Sequence, residues 1–306
     1  RIIEFPRTHG MFAESFANTV PYSESLGFIA DLRDPKGFDL VSYVIAHEVA
    51  HQWWGNMATG ANVQGATLIV ESLAQYSALM VMQKTYGKAK MRRILKLELD
   101  NYLRLRGIDV NGEQPLSHVE NQKYVHYFKA ALAFYRLQEE IGEDALNRAL
   151  RNFAQAYAFK GAPYPSSAEL LQFIRAEAAA DKQQLITDLF ERISFIDSRV
   201  VAASGKKRDD GRYEVTIDVS AAKRYADGQG AETAAPIDDW IEVGIFAKAG
   251  GDAEPGEKAL VLERKHITTN TASFSYTVDE LPSEVGFDPY NKLIDPLSDD
   301  NRMELK

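Results

Sequence analysis

The sequence predicts an α+β fold: a mostly helical part over residues 1–193, then a β-sandwich over residues 194–306. Three observations predict it. Apolar residues recur at helical spacing from Thr67 onward, the apolar period drops from 3.6 to 2 near Ser194, and the helical part carries one dense polar motif, Ala46 to Gly55.

Composition sets outer bounds. A chain of 306 residues, 45% hydrophobic and 26% charged, suits about two globular domains. Its net charge of -9 and pI near 5.3 argue against nucleic acid or an anionic membrane surface as the main partner. The absence of cysteine removes disulfides and thiolate metal sites, and fits either redox compartment. No apolar run approaches the roughly 20 residues that span a bilayer, and no signal peptide is visible, so the chain as given is expected to be soluble. It begins at Arg1 without Met, which points to a piece cut from a longer protein.

Taken in order, Arg1 to Phe5 and Leu26 to Ala30 read as strands among turn residues. Asp39 is placed to cap a helix that Leu40, Val41, Val44 and Ile45 begin and Gly55 closes. This helix carries His47, Glu48 and His51 in the pattern H-E-x-x-H. Residues four apart lie about 40° apart around a helix and about 6 Å apart along it, so both imidazoles can share one metal ion. Glu48 then stands at the flank, where a carboxylate can take a proton from water. Zinc requires a third protein ligand. The next helix begins near Thr67 and carries Glu71 about one turn from its start, while His51 lies about one turn from the end of the first. Two antiparallel helices joined by the loop 56–66 would bring His51 and Glu71 level, leaving one open position.

Further helices are expected over Lys90 to Arg106, Tyr124 to Glu140, Glu143 to Ala158, Ser166 to Ala178 and Lys182 to Ile193. Ser166 and Glu169 supply a capping box. Phe134, Tyr135, Leu146 and Phe153 read as core. In the second part, segments such as Tyr213 to Val219, Trp240 to Ile245 and Ser273 to Val278 alternate as half-buried strands parted by loops rich in Gly, Asp and Ala.

The string His47-Glu48-x-x-His51-Gln52-Trp53-Trp54-Gly55-Asn56, followed by Glu71-Ser72-Leu73-Ala74, resembles the aminopeptidase N family of zinc metallopeptidases, the gluzincins. The resemblance implies a thermolysin-like catalytic domain followed by an Ig-like sandwich. It also implies one Zn2+ per chain on His47, His51 and Glu71, with Glu48 as general base and peptides cleaved from the N-terminus. The chain departs from the pattern in two respects. The family leaves 18 residues between the second histidine and the glutamate, whereas residues 52–70 make 19 here, an excess expected to be absorbed in the loop. The family's Trp-rich acidic stretch is replaced by Gly60 to Ala66, which puts the pocket wall in question.

Two more residues come from the resemblance. The segment Pro21 to Ile29 stands where the family has a cleft-lining strand whose glutamate holds the substrate α-amine; only Glu24 and Gly27 match, and Glu24 takes that role. Tyr127-Phe128-Lys129-Ala130-Ala131 resembles a segment whose tyrosine stabilises the tetrahedral intermediate, which gives Tyr127 that task, with Tyr124 and His126 as rivals. Segments 60–66 and 288–295 look most like a bacterial branch fused behind an ABC-type permease. That would place this part on the periplasmic or extracytoplasmic side of a membrane-bound parent. A zinc endopeptidase, and a non-catalytic peptide-binding or sensing domain of a transporter, are the competing readings.

Overall fold

The computed structural model describes residues 1–33, 37–248 and 257–305. The chain divides into two compact units, Arg1–Ile193 and Ser194–Lys306.

In the first unit, β1 (Ile2–Phe5) pairs in parallel with β2 (Val20–Ser23), Ile2 opposite Val20. Leu26 to Ala30, expected as a strand, belongs to a turn instead: the Leu26 N–H donates to the Ser23 carbonyl and the Ile29 N–H to that of Glu24. The Ser23 and Ser25 hydroxyls meet at 2.9 Å, and a Cβ on Gly27 would stand 2.6 Å from the Tyr22 ring. Short hydroxyl residues and a glycine that admits the ring thus favour folding back over extension.

Helix α1 (Leu40–Ala50) starts as expected, the Asp39 carboxylate accepting the Ser42 N–H at 2.9 Å. Its buried residues are Tyr43, His47, Glu48 and Ala50, while Leu40 and Val49 are exposed. The apolar residues ahead of the motif are therefore not the buried face. The helix turns polar groups inward, an arrangement that survives only where those groups find partners.

A π-helical turn, Leu68–Ser72, leads into α2 (Leu73–Tyr86), followed by α3 (Lys88–Arg106). A second π turn, Tyr124–Lys129, leads into α4 (Ala130–Ile141), and α5 (Glu143–Tyr157) and α6 (Ser167–Glu177) follow. Ser166 and Glu169 form the expected capping box. The expected helix from Lys182 to Ile193 is broken: α7 covers only Gln183–Ile186, then a π turn Thr187–Glu191 hands over to a strand. Phe134, Tyr135, Leu146 and Phe153 are all buried. Phe134 meets Tyr76 and Phe190 at ring distances of 5.5 and 4.9 Å, a contact whose truncation to alanine costs about 3–5 kcal/mol.

The second unit holds β3 (Ile193–Lys207), β4 (Tyr213–Ala226), β5 (Glu232–Ala235), β6 (Asp239–Lys248), β7 (Glu257–Ile267), β8 (Thr271–Val278), β9 (Glu284–Phe287) and β10 (Arg302–Glu304). One sheet runs β10-β9-β6-β7; the other runs β3-β4-β5, with β8 also paired to β4. Alternate residues Val215, Ile217 and Val219 of β4 share one buried cluster with Ile241, Val243 and Ile245 of β6 and Phe287 of β9. Period-2 patterning thus places the core between the two sheets.

Candidate metal and catalytic site

The site lies where α1 meets the start of α2. Trp54, in the turn after α1, donates its indole N–H to the Ser77 hydroxyl of α2 at 3.1 Å. The helix ends at His51, four residues ahead of the Gly55 expected to close it; Gly55, with φ +108 and a would-be Cβ 3.1 Å from Val70, closes the following turn instead.

The three residues expected as metal ligands come together. His47 Nε2 and His51 Nε2 are 3.1 Å apart, and Glu71 Oε2 lies 3.3 Å from the first and 3.4 Å from the second. Among the described residues they form the one group of His, Asp or Glu able to hold a metal ion. Zinc held tetrahedrally at about 2.0 to 2.1 Å keeps neighbouring ligand atoms about 3.3 Å apart, so the triangle matches a zinc ion in size. Its chemistry matches as well. A proton or a cation must sit among two imidazole nitrogens and a carboxylate oxygen at these distances, since lone pairs alone would repel.

Second contacts set the donor atoms. The His51 Nδ1–H donates to the Trp54 carbonyl at 3.1 Å, which leaves the Nε2 lone pair facing the group. His47 Nδ1 is buried with no hydrogen-bond partner. Burial pushes the Glu71 carboxyl up, yet the hydrogen bonds and charge of His47 and His51 outweigh it and hold the group well below the usual carboxylate range. Burial lowers the His51 imidazole, and the Glu71 carboxylate more than reverses that.

Glu48 is 7% exposed on the flank of this group. Burial raises its carboxyl, His47 and His51 pull it down, and Glu71 and Glu14 add to the rise, with the net upward. A carboxylate tuned toward neutral pH is a better proton acceptor than a solvated one.

Tyr127 is beside the site, its ring centroid 5.5 Å from that of His47. Burial, then the charge and hydrogen bond of Glu71, then Glu48, raise its phenol, so at neutral pH it is a donor. Tyr124, the first rival, is turned to other work: its hydroxyl donates to Asp109 Oδ2 at 2.7 Å and accepts from Gln122 Nε2 at 3.2 Å. His126, the second, is buried with Nδ1 unpartnered, and burial lowers its imidazole to about 4, leaving it neutral.

Both Glu71 and Tyr127 stand on π turns, and the turns are joined: the Ser72 hydroxyl donates to the His126 carbonyl at 2.7 Å. A π turn holds one residue more than an α turn, and Glu71, with 19 residues between it and His51, stands within one. The Tyr127 turn is anchored by Lys129, which is fully buried and donates to Glu113 Oε1 at 2.5 Å; Arg106 donates to Glu113 Oε2 at 2.7 Å.

Glu24 is held by the backbone of the N-terminal segment. Its carboxylate accepts the Arg7 backbone N–H at 3.0 Å, in the turn after β2 rather than on an extended strand. The N-terminal acid whose charge bears on Glu48 is Glu14.

Residues 16–192 match the Peptidase family M1 domain, more than half of the chain. The chain belongs to peptidase family M1. Among curated relatives of this M1 chain, the probable aminopeptidase 1 of Sulfurisphaera tokodaii is 24% identical over 155 residues, 48% of this chain and 19% of that protein. The human endoplasmic reticulum aminopeptidase 2 is 26% identical over 128 residues, 40% of this chain and 13% of that protein. The chain thus spans under a fifth of either relative. An M1 zinc metallopeptidase from Deinococcus radiodurans aligns over 62% of this chain and 38% of its own, at 20% identity and a TM-score of 0.46. The span matched to the M1 domain encloses His47, Glu48, His51, Glu71, Tyr127 and Glu24; Glu14 precedes it by two residues.

In this M1 chain, sequence reasoning passed over Glu14, Glu113 and a buried Glu98. Only Glu98 left a signal: it stands on the stripe of α3 formed by Met91, Ile94, Leu95, Leu99 and Tyr102, where an apolar residue is the rule.

Proposed function

We propose that this chain is the metal-holding part of a zinc-dependent aminopeptidase that removes N-terminal residues from peptides. The observation that carries the reading is the triangle of His47, His51 and Glu71, 3.1 to 3.4 Å on a side, with Glu48 buried on its flank. One Zn2+ per chain would be held there. Zinc in such a site polarises a carbonyl and acidifies water. Glu48 takes the proton from the attacking water and later passes it to the leaving amine. Tyr127 donates its phenol hydrogen to the oxygen on which negative charge develops. A carboxylate of the N-terminal segment receives the substrate's protonated amine, and Glu24 and Glu14 are the two candidates.

A thermolysin-like description of the first unit and an Ig-like one of the second belong to the same proposal. So does attachment to an ABC-type permease, which rests on segments 60–66 and 288–295. Among the described residues no helix is long and apolar enough to cross a membrane. The endopeptidase and sensing-module readings find no support in the relatives.

The deciding experiment compares fluorogenic amino-acid amides with N-blocked peptides, each with and without chelator. Chelator-sensitive cleavage of the free amides alone is the expected result. Cleavage indifferent to chelator overturns the zinc reading, and equal cleavage of blocked peptides overturns the aminopeptidase one.

A further inference from the structure

A second buried polar cluster lies one helical turn from the metal group. Tyr43 precedes His47 by four residues on α1, and Gln75 follows Glu71 by four, on α2; residues so spaced share a helix face. Between them stands Glu98 of α3, 1% exposed. The Tyr43 hydroxyl donates to Glu98 Oε1 at 2.5 Å, and Gln75 Nε2 donates to the Tyr43 hydroxyl at 2.9 Å and to Glu98 Oε1 at 3.2 Å. Every member is at least nine-tenths buried: Tyr43 is 5% and Gln75 6% exposed.

None of the three takes part in the chemistry proposed above, and among the described residues no cation pairs with Glu98. A carboxyl buried among neutral partners is expensive to keep charged and is retained as the acid. Burial raises it to about 8, against which the hydrogen bonds of Tyr43 and Gln75 pull only partly. Its second oxygen, Oε2, is buried without a partner, the position left for the acid's proton. A leucine would fill this stripe position of α3 without such cost, so the polar group calls for a reason beyond burial. The geometry supplies one. The two residues that Glu98 joins are each one turn from a ligand, on the two different helices that carry the ligands.

We propose that Glu98 is a positioning residue for the metal site: through Tyr43 and Gln75 it fixes the register of α1 against α2, and with it the distance between His47 and Glu71. The proposal rests on the metal reading of His47, His51 and Glu71. A slip of either helix by a fraction of a turn would move one donor atom out of a triangle only 3.1 to 3.4 Å on a side. Partners behind metal ligands are worth 10- to 100-fold in affinity, and a link one residue further back belongs at about the lower end of that range.

The test measures zinc affinity by competition with a chelator, together with the ligand-field spectrum of the Co2+-loaded protein, for wild type, Glu98→Leu, Glu98→Gln and Tyr43→Phe. Glu98→Leu keeps the stripe apolar, and Glu98→Gln keeps both the shape and the acceptor. Glu98→Leu and Tyr43→Phe are expected to lose about tenfold in zinc affinity and to shift the Co2+ spectrum; Glu98→Gln restores both to wild type. A wild type that binds zinc tightly, with Glu98→Leu and Tyr43→Phe binding equally well, overturns the positioning role and leaves the metal reading standing. Glu98→Gln as weak as Glu98→Leu also overturns it. A wild type without zinc affinity overturns the metal reading and this proposal with it. Should Glu98→Leu fail to fold, Tyr43→Phe, which removes one oxygen, decides between the same outcomes.

Discussion

His51 and Trp54 are joined head to tail across the end of their own helix, the imidazole Nδ1–H donating to the Trp54 carbonyl at 3.1 Å. The bond fixes which nitrogen is left to bind, and the turn that makes it is closed by Gly55. Which His51 nitrogen faces His47 and Glu71 is therefore set by backbone as much as by side chains.

Removing a ligand should remove the metal. His47→Ala and Glu71→Ala each take away one of three protein donors, and elemental analysis of the purified variants is expected to show zinc falling far below one equivalent. Full occupancy in both would mean that the ligand set is wrong.

Groups beside the metal should behave differently. Glu48→Gln and Tyr127→Phe are expected to keep zinc while losing turnover, about 10² to 10⁴ for the base and about 10² to 10³ in kcat for the oxyanion donor. Wild-type rates in Tyr127→Phe combined with a dead Tyr124→Phe would reassign the donor, against the bond that ties Tyr124 to Asp109.

The amine-binding acid can be identified by cycle. A charge-assisted hydrogen bond to the substrate amine is worth about 1.5 to 3 kcal/mol, or roughly 10- to 150-fold in kcat/KM. Glu14→Gln and Glu24→Gln are each combined with an N-acetylated substrate. For the residue that holds the amine, the two losses do not add; for the other they do. The charge of Glu14 reaches Glu48, so it is expected to be the non-additive one.

Stability should fall with rising pH through Glu98. Its folded value, about 8, lies above its ordinary value of 4.5, so between these the folded state holds the extra proton. The contribution is complete below about pH 4.5 and is lost as pH rises through about 8, at no more than roughly 1.4 kcal/mol per pH unit. Urea melts at pH 5 and pH 8 should show a larger drop for wild type than for Glu98→Gln. Equal drops would mean that Glu98 does not titrate in this window.

Gly65 should resist substitution. Its φ is +82, and a Cβ would come 2.1 Å from the Ser117 carbonyl oxygen and 2.6 Å from Ser167 Oγ. Gly65→Ala is expected to cost at least about 1–3 kcal/mol in thermal or urea unfolding. An unchanged melt would show that the 57–66 loop shifts freely.

Legibility in the sequence follows locality. Asp39 and Ser166 announce their caps because a cap depends on three or four neighbours. His47 and His51 announce a shared face because four residues fix the angle between them. The π turns at Glu71 and Tyr127 leave no trace, since a change of helical period over five or six residues displaces no apolar position enough to register. The turn at Glu24 reads as strand because its apolar residues, Leu26, Phe28 and Ile29, are half-buried or exposed in the fold. Glu113 and Lys129 are more than ten residues apart in sequence and become partners only through packing.

The π turn at Glu71 also bears on how such proteins are found. A rule that counts a fixed number of residues from the second histidine to the glutamate would pass over this chain, although the three donor atoms meet within hydrogen-bonding distance of one another. An insertion inside a helix ordinarily rotates everything beyond it by about 100°. Bulging one turn confines the disturbance and leaves the rest of the helix in phase. With 19 residues between His51 and Glu71 the donor atoms still meet, and searches that score distances in space rather than gaps in sequence would recover chains that counting discards.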